Sequence, residues 1–159
     1  MVSPARLHLI KSKVETEFPN LRTTPYRIAS PSDRRYNCIA WAAGDDRRWW
    51  WPVSRPRYYW PPDVRYEETI DAFVRAFNTL GFRPCDSRAL EPAFEKVAIY
   101  AAGSRPNHAA RQLRSGIWTS KLGRGVDIEH TLAGLEGSTY GAVAVVLTRP
   151  FNLTVCPEV

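Results

Sequence analysis

The chain has 159 residues, enough for one domain with a sizeable core, and 44% of them are hydrophobic. Its formal charge of +6 suits an acidic partner or surface, but the arginines are spread along the chain with no dense basic block. No zinc-finger spacing, Gly-rich phosphate loop or helix-turn-helix signature is present, so nucleic-acid binding is a minor option, and no apolar run approaches the length of a membrane span.

Three widely spaced cysteines, Cys38, Cys85 and Cys156, argue against a disulfide framework and for a reducing compartment. The N-terminus lacks the continuous apolar segment of a secretion signal. A cytoplasmic protein is the default expectation, and export by a route without a classical signal stays open. Thirteen prolines predict turns and extended segments rather than long helices.

Ser3 and Pro4 predict the start of a helix that carries Leu7, Ile10 and Val14, with an irregular arm as the competing reading. Residues 1–35 as a whole read as an N-terminal arm. Tyr26 and Ile28 form a short strand or anchor that arm. Asn37 is a good helix cap, which puts Cys38 in the first turn of a short apolar helix closed by Gly44. A thiol there lies near unpaired backbone N–H groups that favour thiolate, the form that attacks carbonyl carbon. The alternative is a cysteine that simply packs.

Trp49-Trp50-Trp51-Pro52 and Tyr58-Tyr59-Trp60-Pro61 follow no regular period. They read as a loop whose rings cover one side of the core, or else as the lining of a substrate groove. From Glu67 to Leu80, Ile70, Phe73, Val74 and Phe77 recur at spacings of three and four, which predicts a helix with Gly81 as its C-terminal cap. Cys85 has no base partner nearby in the sequence. Lys96–Ala101, His108–Leu113 and Ile117–Leu122 predict an antiparallel meander. Asp127–Leu135 reads as a short helix with Leu132 and Leu135 inward. Tyr140–Thr148 is a strong strand, and residues 151–159 read as a tail.

This order sets a thiol on a helix against a sheet that carries histidine, a workable nucleophile–base arrangement. His108, at the start of a strand, is the first candidate base; His130 is the reserve, and His8 lies in the arm. A third group must orient the ring. Asp127 is the first choice, with Ser120, Asn107 and Glu129 as alternatives; Ser120 lies roughly across the hairpin from His108. Asp127 would equally serve as a helix cap. The backbone N–H of Cys38 is a natural oxyanion donor. Lys121 reads as a solvated edge residue. Cys38, His108 and His130 supply three metal ligands in principle, but without the close spacing of structural zinc, and no cofactor is expected.

The segments YNCIAWAAGD, WWWP, YWPP, KVAIYA, NHAARQL, WTSKLG, DIEH and YGAVAVVLTRP together resemble a bacterial family of small uncharacterised domains, over about residues 36–150. A broader resemblance is to papain-like cysteine peptidases and amidases, including the NlpC-type wall hydrolases. It implies an α+β, papain-like fold with N-terminal helices packed on a small antiparallel β-sheet. It also implies hydrolysis of an amide or acyl bond in a peptide, protein or small amide, with Cys38 as nucleophile, His108 as base and Asp127 as orienter. Transfer or deamidation by the same thioester chemistry is a close variant. The chain departs from these enzymes in having no histidine in the strand that begins at Lys96, and no clear match to the papain oxyanion glutamine. The competing function is a non-catalytic protein-binding or toxin-associated module.

Overall fold

The computed structural model describes residues 2–151. Helix α1 spans Pro4–Glu17; the Ser3 hydroxyl accepts the Arg6 N–H, and Pro4 sits in the first turn, where its missing N–H would be unpaired anyway. A 3-10 turn at Pro19–Arg22 follows and buries Leu21. Strand β1 is Tyr26–Ser30, and helix α2 is Cys38–Ala43. Two dipeptide strands, β2 (Trp49–Trp50) and β3 (Tyr58–Tyr59), pair in parallel as a separate small ladder.

Helix α3 is Ile70–Asn78, and strands β4 (Arg83–Cys85), β5 (Phe94–Ala102), β6 (Arg105–Gln112), β7 (Trp118–Lys121), β8 (Asp127–His130) and β9 (Ala142–Pro150) complete the chain. Thr69, not Glu67, begins α3, because its hydroxyl accepts the Ala72 N–H.

Seven strands form one sheet in the order β1-β8-β7-β6-β5-β9-β4, with every pair antiparallel. The fold is therefore mixed α+β, with helices on a multi-stranded antiparallel sheet larger than the small one expected. Residues 1–35 are also more than an arm. Their strand β1 closes one edge of the sheet against β8, and Phe18 and Leu21 are buried in a core. Strand β4 forms the other edge, and an edge strand tolerates Pro84, which has no N–H to give to a ladder.

The helix expected over Asp127–Leu135 is not there. Asp127–His130 is strand β8, paired on both sides by β1 and β7, and only Ala133–Leu135 turns as a 3-10 helix. The tail expected at 151–159 falls, except for Phe151, outside the described residues, as does Cys156.

Alternation along the strands divides the interior into two cores. Val97, Ile99, Ala109 and Leu147 pack with α2, α3 and the tryptophans. Ala98, Tyr100, Ala110, Trp118, Ile128 and Val146 pack with Val14 of α1, Phe18, Leu21 and Leu135. Trp50 and Trp60 are buried; Trp60 packs on Phe73 and Trp50 on Tyr59. The aromatic run is thus one wall of the first core.

Candidate active site

Asn37 fixes the start of α2 from three directions. Its Oδ1 accepts the N–H groups of Ala40 and Trp50, each at 3.1 Å, and its Nδ2 donates to the Trp50 carbonyl at 2.9 Å. One side chain therefore caps the helix and ties it to β2. Gly44 ends the helix with φ +83°, a left-handed conformation natural to glycine.

Cys38 is 7% exposed. Its Sγ lies 4.0 Å from the Asn107 carbonyl of β6. The backbone N–H groups of Ala109, Ile39 and Cys38 itself also act on the sulfur. Burial pushes the thiol up to about 11, against the pull of those N–H groups. The thiol thus touches the strand backbone on both sides of His108.

The His108 ring is wholly buried. It stacks on Tyr140, with centroids 3.9 Å apart and planes 9° from parallel, and meets Tyr100 edge-on. Its Nε2 lies 2.9 Å from Ser120 Oγ, and the same hydroxyl lies 2.7 Å from His130 Nε2. His130 Nδ1 lies 2.6 Å from the Thr131 carbonyl.

The proton positions follow from the far end of this chain of contacts. A carbonyl only accepts, so His130 Nδ1 carries the proton and its Nε2 accepts from the Ser120 hydroxyl. Ser120 Oγ then accepts the Nε2–H of His108. Burial holds both rings neutral: it lowers His130 to about 4 and His108 well below the ordinary histidine range. His108 Nδ1 is left as a bare lone pair, buried and without a hydrogen-bond partner.

No hydrogen bond joins Cys38 Sγ to this lone pair. The thiol belongs to the α2 core, while the aromatic neighbours of the His108 ring, Tyr100 and Tyr140, belong to the other. Asp127 does not orient His108. Its Oδ2 accepts from Tyr36 Oη at 3.1 Å and from Ser30 Oγ, and register places it opposite Lys121. Ser120 is the group behind the ring.

Lys121 is not a solvated edge residue either; it is wholly buried, with Nζ donating to the Gly123 and Gly125 carbonyls. Glu129 pairs with Arg27, and Asn107 donates to the Thr139 carbonyl at 3.4 Å. Cys85 lies on edge strand β4, and His8 is exposed on α1. Among the described residues, no cluster of three or more His, Cys, Asp or Glu side chains could hold a metal ion; both His130 nitrogens are committed to Ser120 and Thr131.

The family described as a domain of unknown function, DUF7689, matches residues 27–148. The chain belongs to this family. No curated protein and no solved structure matches it. The DUF7689 region runs from within β1 almost to the end of β9, so it contains Cys38, His108, Ser120, His130 and Tyr140.

Two members of this DUF7689 site had only faint signals in the sequence. His130 reads as a reserve base, yet it anchors the hydrogen-bond chain. Tyr140 reads as the start of a strand, yet it precedes β9 and covers the His108 ring. The signal for His130 was its two-residue spacing from Ile128, which puts both side chains on one face once the segment is taken as a strand.

Proposed function

We propose that this DUF7689 chain is a thiol hydrolase of papain-like arrangement that acts on an amide or related acyl bond. Cys38 Sγ attacks the carbonyl carbon while His108 Nδ1 takes the thiol proton. The tetrahedral intermediate collapses to a thioester as the imidazolium returns that proton to the leaving nitrogen. Water, deprotonated by the same nitrogen, then releases the acid and regenerates the thiol.

The observation that carries this reading is the bare Nδ1 lone pair of His108. An unpartnered buried acceptor is costly to keep, and a catalytic role is one reason for a protein to keep it. Its neighbours suit a base: Ser120 and His130 fix the tautomer, and Tyr140 holds the plane of the ring. The backbone N–H groups gathered around Cys38 suit an oxyanion. With Cys38 7% exposed and the His108 ring set among residues of the other core, the reaction requires a rearrangement of the 107–109 backbone that both admits the substrate and brings Nδ1 to Sγ. Transfer or deamidation would use the same thioester with another acceptor or amide.

The test uses a thiol-directed acyl probe on the Cys85→Ser, Cys156→Ser variant. Labelling should vanish with Cys38→Ala and slow at least tenfold with His108→Ala, while circular dichroism stays unchanged. Equal labelling of the Cys38→Ala protein rejects the nucleophile, and equal labelling of His108→Ala rejects the base. The burial of Cys38 favours a second reading, a non-catalytic protein-binding module. On that reading, Cys38 reacts only after denaturation.

A further inference from the structure

A second feature lies at the far end of the histidine chain, apart from the thiol. A cavity of about 550 Å³, well within the size range of small-molecule sites, opens beside β7 and β8. Tyr26, Ile117, Trp118, His130 and Leu132 line it, together with the exposed Arg88. Ile117 is 47% exposed, whereas Trp118 beneath it is 5% exposed. Much of the lining is therefore apolar and aromatic, and Ile117 is its exposed apolar member.

The charges around this cavity are specific. Arg27 and Glu129, both in the lining, pair with each other and largely cancel. His130 is held neutral by burial, and its two nitrogens are bonded to Ser120 and Thr131. Arg88 is exposed, and its guanidinium forms no ion pair with a carboxylate among the described residues. The cavity lining is thus largely apolar and carries one cation, Arg88, that no carboxylate among the described residues compensates.

We infer that this cavity binds an aromatic or branched apolar carboxylate, with the apolar body against Trp118 and Leu132 and the carboxylate on Arg88. A planar guanidinium matches a carboxylate in two parallel hydrogen bonds. A single positive charge beside the Arg27–Glu129 pair suits a monoanion better than a dianion, which would meet the Glu129 carboxylate. The site is separate from Cys38, and it stands whether or not the thiol is catalytic.

The experiment is a calorimetric titration of the full chain with 3-phenylpropionate and with 3-phenyl-1-propanol, which keeps the ring and removes the charge. Tryptophan fluorescence is followed in parallel, because Trp118 lines the cavity. The carboxylate should bind saturably, one per chain. The alcohol should bind about tenfold more weakly, and Arg88→Ala should weaken the carboxylate by about the same factor. Arg55→Ala, on another surface, and Cys38→Ala should bind as the parent does. Equal affinity for acid and alcohol, unchanged binding by Arg88→Ala, or no saturable binding of the acid would each overturn the inference.

Discussion

Ser120 Oγ stands between two buried imidazoles, accepting from His108 at 2.9 Å and donating to His130 at 2.7 Å. One hydroxyl therefore sets the proton positions of both rings. Ser120→Ala leaves two buried ring nitrogens without partners, each costing roughly 1–3 kcal/mol, so the variant should lose on the order of 3 kcal/mol in urea unfolding. It should also free the His108 tautomer, seen in ¹⁵N spectra as a mixture of Nδ1–H and Nε2–H forms.

Stability should fall on the acid side of neutrality. His130 titrates at about 4 in the folded protein, against an ordinary histidine value near 6.5. The unfolded chain therefore binds more protons between those values, and folding loses stability as pH drops through that window. The loss reaches on the order of 3 kcal/mol from this ring alone. His108 is lowered in the same direction and adds to the effect. Urea midpoints at about pH 7 and about pH 4.5 measure it, and His130→Gln should flatten the dependence.

Asn37 offers a sharper test of the α2 anchor. Asn37→Ala removes the cap and both bonds to Trp50, and should cost on the order of 3 kcal/mol. Asn37→Asp keeps the acceptors, loses the Nδ2 donor and leaves the Trp50 carbonyl unpaired. It should fall between the two in denaturant midpoint.

Gly141 lies just before β9, next to Tyr140, with φ +77°. A Cβ there would meet the Ala101 carbonyl oxygen at 2.1 Å. Gly141→Ala should lose at least about 2 kcal/mol, since left-handed backbone alone costs an L-residue roughly 1–2 kcal/mol. Because Tyr140 stacks on His108, near-ultraviolet circular dichroism should change with it.

The sequence was most legible where local chemistry decides structure. Asn37 before an apolar run with a closing glycine predicts α2 to within a residue. Phe73 and Phe77, four apart, predict the buried face of α3. Legibility failed where the deciding partner was distant. Asp127 looks like a helix cap, and Leu132 with Leu135 suggests a helical stripe. The pairing of Asp127–His130 with Tyr26–Ser30, about a hundred residues earlier, overrides both. Asp127 failed as an orienter for the same reason: neighbouring strand residues face opposite sides, so Lys121 and Asp127 share a side with Tyr36 while Ser120 joins the histidines. Periodicity places a residue on a face only after the element type is known.

The central claim is that His108 Nδ1 serves Cys38 as its base, and the pH dependence of Cys38 acylation tests it most directly. An unassisted thiol held at about 11 gains thiolate about tenfold per pH unit below that value. The claim predicts a nearly flat acylation rate in the parent chain from about pH 6 to about pH 9, and a steep rise in His108→Ala. A parent rate that climbs as steeply as the variant's would show that the imidazole takes no part.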